Sequence, residues 1–140
     1  EIRLSLVGSE MCIRDRRHTN ANIETVERAA ITAIQWGHGT DQHFNLLNDL
    51  LNLLLVATQK KQITKYKSNI DKWTKTLQNM QARYVKTGRI GFNADDKARM
   101  TDMVNFYGKF WELQTTDFYQ ECDAEVRLFY QAVKDCKKQS

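Results

Sequence analysis

Apolar residues recur at steps of three and four along most of the chain, the spacing that lines one face of an α-helix, while strand-like alternation is scarce. The sequence contains no proline, so only glycines and polar clusters interrupt these periods. Ile23, Val26, Ala30, Ala33 and Ile34 predict a first helix, with Asn22 as its cap and Gly37 as its end. Trp36, beside Gly37, reads as a hydrophobic plug at that helix end. After the Gly37-His38-Gly39 turn, Thr40 is a good N-cap and Asp41 suits the positive end of a second helix. Phe44, Leu47, Leu51 and Leu54 form its main stripe. Leu46, Leu50 and Leu53 carry apolar character around it, which predicts a central helix buried on most sides and fraying near Thr58 to Lys61.

The cleanest period in the chain is Ile63, Tyr66, Ile70, Trp73, Leu77, Met80 and Tyr84, which predicts a third helix stopped by Gly88. Asn93, with Asp96 three residues later, resembles a capping box that opens a fourth helix. There Met100, Met103, Tyr107 and Phe110 point one way and Val104 and Trp111 widen the stripe. Thr115 or Thr116 recaps the chain, and Phe118, Cys122, Val126, Phe129, Val133 and Cys136 mark a fifth helix. Short connections favour antiparallel neighbours, so the expected fold is an all-α, single-domain bundle of four to five helices. The longest apolar run, Leu50 to Ala57, is interrupted by Asn52 and is far shorter than the roughly 20 residues a membrane span needs.

Residues 1–16 stand apart from this pattern. Back-translated, Glu1 to Arg16 resemble a transposon-tagmentation sequencing adapter, and such a segment is set aside from fold reasoning as a fusion scar would be. The resemblance implies a metagenomic gene fragment whose native N-terminus lies upstream, so the domain is expected to occupy residues 17–140. Removing three basic and three acidic residues with the adapter leaves the net charge of +4 on that domain. Such a mild basic balance falls short of a histone-like excess. Of the three cysteines, Cys12 belongs to the adapter. Cys122 and Cys136 form no disulfide framework and fall on the apolar face of the fifth helix, where a free cysteine behaves as a small buried hydrophobe. That usage fits a reducing, cytoplasmic setting in a bacterial host.

Charge patterning gives the strongest clue to function. Projected at about 100° per residue, Lys61, Lys65, Lys72, Lys75, Arg83 and Lys86 gather on one line of the third helix, nearly opposite its apolar face. Between Lys60 and Arg89 the only acid is Asp71, so the stripe is not cancelled locally as in a Glu/Lys-laced helix. A basic face of this length can follow a phosphate backbone, with Arg89 just beyond it, although a solvated surface that keeps the chain soluble explains the same pattern. Aromatic stacking partners are absent from the stripe, because Tyr66, Trp73 and Tyr84 fall on the core side.

Other chemistry is weakly signalled. His18, His38 and His43, with Asp41 nearby as an oxygen ligand, raise a metal site, but His38 and His43 are five apart and His38 lies in a glycine-flanked turn, so none is expected; His43, three residues after Thr40, suits a helix start. No nucleophile has a suitably spaced base, and no phosphate-cradling loop follows a strand. Asp95 and Asp96 are explained by the dipole of a helix first turn, and the glycines of Gly88-Arg89-Ile90-Gly91 by a C-cap and a tight turn. No cofactor is expected.

Two segments, Gly37-His38-Gly39-Thr40 with Leu47, Leu50, Asn52 and Leu53, and Arg83 to Phe92, resemble small helical proteins of proteobacterial phages, prophages and mobile elements. The resemblance covers most of residues 21–135. Members of that group begin with a basic, proline-containing arm that this chain lacks, and the group implies no activity and no catalytic residues. Together these readings predict a non-enzymatic accessory protein that binds a macromolecule through its helix surfaces, first of all another protein. The alternative is sequence-independent nucleic-acid binding through Lys61, Lys65, Lys72, Lys75, Arg83, Lys86 and Arg89. The many aromatics on the fourth and fifth helices leave self-association open.

Overall fold

The computed structural model describes residues 20–139, and side chains from 26 to 136. His18 and the adapter-like residues 1–16 lie outside the described residues. Five helices make up the fold: α1 (Asn20–Gln35), α2 (Asp41–Lys60), α3 (Lys67–Thr87), α4 (Ala94–Glu112) and α5 (Thr116–Gln139). No strand occurs among the described residues, so the fold is an all-α bundle.

Thr40, Asn93, Thr115, Gly37 and Gly88, predicted to start or stop helices, do so with identifiable hydrogen bonds. Thr40 precedes α2, and its N–H donates to Nδ1 of His43 at 3.0 Å, so the imidazole takes the place that Glu or Gln holds in a usual capping box. At α4 the box is reciprocal: the Asp96 N–H donates to Asn93 Oδ1 at 2.8 Å and the Asn93 N–H to Asp96 Oδ2 at 3.0 Å. Thr115 opens α5 by accepting the Phe118 N–H on its hydroxyl at 3.1 Å. Gly37 and Gly88 end α1 and α3 with φ of 83° and 72°, values that favour a residue without Cβ. Gly39 is needed for space, since a Cβ there would lie 3.0 Å from Ile34 Cγ1 and 3.2 Å from the Ile90 carbonyl oxygen.

α2 is the central helix and packs against each of the other four. Phe44, Leu47, Leu50, Leu53 and Leu54 are fully enclosed on it, and each such side chain contributes about 1.5–3 kcal/mol of transfer free energy. α5 runs antiparallel along α2: Lys60 meets Glu121 and Glu125 at one end, while Asn52 and Asp49 meet Tyr130 further along. α4 runs antiparallel to α3, joined by Arg83–Asp96 at one end and Trp73–Phe106 at the other. α1 covers α4 and α2, with Arg28 Nη2 donating to Asn105 Oδ1 at 2.6 Å. Met100, Met103, Val104, Tyr107, Phe110 and Trp111 fill the α4 side of the core as their spacing predicts.

Several expectations are corrected. α1 already runs from Asn20, so Asn22 lies in its first turn and does not cap it. α3 begins at Lys67 instead of near Ile63, because α2 ends in a Schellman turn made by Gln62 at φ 55°. In that turn the Ile63 N–H reaches the Thr58 carbonyl at 2.9 Å and the Gln62 N–H reaches that of Gln59 at 3.1 Å. Trp36 is 70% exposed and plugs nothing: two residues past Ile34, it falls on the opposite side of the helix end. On α5 the buried face is Tyr119, Cys122, Asp123, Val126 and Tyr130. Phe129 and Cys136 turn outward, while Tyr130, whose hydroxyl donates to Asp49, takes the inward position next to Phe129; the predicted Cys122 and Val126 stay buried. Of the two cysteines, only Cys122 is buried.

Candidate functional site

Two groups of cations bear on the predicted stripe. Those at helix seams are engaged. Lys60 Nζ lies 2.7 Å from Glu125 and 3.3 Å from Glu121, and their hydrogen bonds raise its pKa. Arg127 Nε donates to Asp123 Oδ2 at 3.0 Å. Arg83, predicted to face phosphates, instead reaches across to α4, where it bonds Asp96 and donates to the Gly91 carbonyl at 3.1 Å. Asp96 is buried, so this pair ties the α3 C-terminal half to the start of α4.

The second group faces solvent. Lys72, Lys75 and Lys86 are exposed on the outer face of α3, and Arg89 is exposed just after Gly88; none has an ion-pair partner among the described residues. Lys72 and Lys86 are separated by about 21 Å of helix axis at 1.5 Å per residue. That span corresponds to about six phosphate steps at 3.4 Å along one strand of B-form DNA.

Lys61 and Lys65 are not on α3. Lys61 caps the C-terminus of α2, and Lys65 lies in the turn that precedes Tyr66. Each ammonium rests over an aromatic face, Lys61 at 4.5 Å from the Phe118 centroid and Lys65 at 5.1 Å from that of Tyr66. The predicted seven-residue set therefore divides into four exposed cations on and beside α3, two on its N-terminal approach, and Arg83 inside a seam.

Sequence reasoning missed the aromatic row beneath that approach. Tyr66 meets Phe106 at 4.6 Å between centroids, Phe106 stacks on Phe110 at 5.9 Å, Phe110 meets Trp111 at 5.1 Å, and Trp111 meets Phe118 at 5.9 Å. Phe110 and Trp111 are buried, whereas Tyr66, Phe106 and Phe118 are half-buried. The usable signal was Tyr66 between Lys65 and Lys67. Reading Tyr66 into the α3 period concealed that it precedes the helix.

A second constellation lies inside the α2–α5 seam. The Tyr130 hydroxyl donates to Asp49 Oδ1 at 2.5 Å and accepts from Asn52 Nδ2 at 2.9 Å, with the Asp123–Arg127 pair on the same helix. Burial, then the neighbouring Asp49 carboxylate, pushes the Tyr130 phenol well above its usual range and holds it protonated. Asp49 is fully enclosed, and the network stiffens the seam. A groove of about 390 Å³ between the end of α2 and the start of α3 is lined by Leu55, Thr58, Ile63, Ile70, Lys67 and Asp71. It contains neither histidine nor cysteine. Among the described residues, no three His, Cys, Asp or Glu side chains are grouped so as to hold a metal ion, and no helix is long and apolar enough to cross a membrane.

Compared with known protein families, curated proteins and solved structures, the chain has no significant match.

Proposed function

We propose that this protein is a non-catalytic binding module whose recognition surface is the outer face of α3, and that its ligand is the phosphate backbone of a nucleic acid, bound without sequence readout. The carrying observation is the partition of cations. Lys60, Arg83 and Arg127 are consumed by carboxylates at helix seams; of the cations left facing solvent with no ion-pair partner among the described residues, which include Lys67, Lys97 and Lys109, Lys72, Lys75 and Lys86 line up on the outer face of α3 with Arg89 just past its end. Three such cations along α3, with Arg89 just past its end, form an electrostatic track, and phosphates neutralised there release condensed counterions. Lys61 and Lys65 extend the track at its N-terminal end. Reversing charge in Lys72→Glu, Lys75→Glu and Lys86→Glu together is expected to abolish a mobility shift of random-sequence DNA while leaving the helical circular dichroism unchanged. Retention of the shift by the folded triple variant refutes the assignment.

A protein partner is the second reading, and α5 supplies the observation that favours it. Leu128 is 70% and Phe129 54% exposed on its C-terminal half, next to exposed Ala132 and Cys136, which is more apolar surface than a solvated helix end requires. Under this reading the chain is an accessory protein of a phage or mobile element, and Phe129→Ser with Leu128→Ser abolishes its association while the α3 reversal does not.

A further inference from the structure

Resting on the nucleic-acid reading above, we infer that the preferred ligand is a single strand, whose bases stack at the α2–α3 corner on Tyr66 and Phe118 while its phosphates continue along the lysines of α3. The juxtaposition that points there is of lysine and open ring face. Lys61 Nζ sits 4.5 Å above Phe118 and Lys65 Nζ 5.1 Å above Tyr66, so each half-buried ring turns a face, and not only an edge, toward an exposed, flexible cation. Beneath them the row is braced. Phe106 backs Tyr66 at 4.6 Å and Trp111 backs Phe118 at 5.9 Å, and both supporting residues belong to α4. Rings held from below lose little freedom when a base stacks on them from above.

Magnitudes favour replacing the lysine with a base. An exposed cation–π contact is worth about a two- to fivefold preference, whereas base–aromatic stacking contributes roughly five- to hundredfold per base. A lysine displaced from a ring face is then placed beside the phosphate of the stacked nucleotide. On neighbouring α5, Glu121 and Glu125 are already tied to Lys60, and Asp117 beside Phe118 is the exposed acid that Lys61 and Lys65 together outweigh. In a duplex the bases are stacked on one another and unavailable to the rings, which is why the corner selects a single strand.

The test compares a twelve-residue deoxythymidine strand with an abasic deoxyribose-phosphate strand of the same length and charge, by fluorescence anisotropy at one low salt concentration. The full chain is expected to bind the thymidine strand at least tenfold more tightly. Tyr66→Leu and Phe118→Leu, which keep apolar bulk under the row, are expected to reduce that advantage by about fivefold each and leave abasic-strand affinity unchanged. Because either variant could disturb the row, a wild-type measurement stands beside them: 2-aminopurine placed within the strand is quenched on binding. Equal affinity for both strands, with no quenching, overturns base stacking while the α3 track stands. Failure to bind either strand overturns the nucleic-acid reading itself.

Discussion

Arg83 separates a structural cation from a recognition cation. Its side chain is 39% exposed, whereas that of its partner Asp96 is 4% exposed, so the pair is neither a surface bridge nor a fully buried one. Exposed pairs contribute about 0–1 kcal/mol, and deleting one member of a buried pair costs about 3–5 kcal/mol. In Arg83→Met the aliphatic stem remains and the charge is lost. Asp96 keeps the Asn93 N–H at 3.0 Å, while the Gly91 carbonyl loses its side-chain donor. The expected cost therefore lies between the two limits, at about 2 kcal/mol. With a urea slope of about 1.5 kcal/mol/M, the unfolding midpoint followed by circular dichroism falls by about 1.3 M. Lys86→Met, three residues along and without an ion-pair partner among the described residues, is expected to shift stability by less than about 0.5 kcal/mol. In a double-mutant cycle with Asp96→Asn, most of the Arg83 cost disappears. An Arg83→Met midpoint indistinguishable from wild type, or equal losses from Arg83→Met and Lys86→Met, refutes the division of the basic residues.

Other consequences are open to direct measurement. Burial pushes the Cys122 thiol up to about 11 from 9.0, and the Tyr130 phenol is raised above 10.0 by burial and Asp49, so the folded chain keeps protons that the unfolded chain releases. The Cys122 contribution is complete below pH 9 and is lost as pH rises toward 11, and the Tyr130 contribution starts to fall only above pH 10; a urea midpoint that is flat or rising from pH 9 to 11 contradicts the enclosure of both groups. Alkylation of the native protein followed by peptide mass mapping should modify Cys136 well before Cys122, and equal rates would show that α5 does not bury Cys122. Gly39→Ala is expected to destabilise the fold by about 1–3 kcal/mol through contact with Ile34 and Ile90, whereas Gln62→Gly, which relieves a left-handed residue, is neutral or stabilising by up to about 1 kcal/mol. Thermal unfolding that ranks the two in the opposite order contradicts the turn geometries.

Local rules made much of the fold legible. The apolar run from Phe44 to Leu54 could be satisfied only by a helix enclosed on most sides, and Thr40, Gly88 and the Asn93–Asp96 box marked helix ends through their own hydrogen-bonding chemistry. What escaped depended on contacts between helices. Gln62 carries no turn signature; its left-handed conformation is imposed where α2 must stop, and this moved the α3 start to Lys67. Tyr130 and Asp49 are 81 positions apart, so the pairing that accompanies an inward Tyr130 and an outward Phe129 leaves no local trace. The basic stripe was visible as composition, but its division required Asp96, Phe118 and Tyr66 to be placed in space. Arg83 has the same helical projection as the lysines and differs from them through a partner on another helix.

The phosphate track on α3 is tested most directly by the salt dependence of single-strand binding. With Lys72, Lys75, Lys86 and Arg89 engaged, the logarithm of affinity should fall against the logarithm of salt with a slope of about −3, at roughly −0.7 per neutralised phosphate, steepening to about −4 when Lys61 and Lys65 also meet phosphates. Lys86→Met should make the slope shallower by about 0.7 while preserving the fold. A slope near zero, or a steep slope that Lys72, Lys75 and Lys86 substitutions leave unchanged, would contradict the placement of the ligand on this helix.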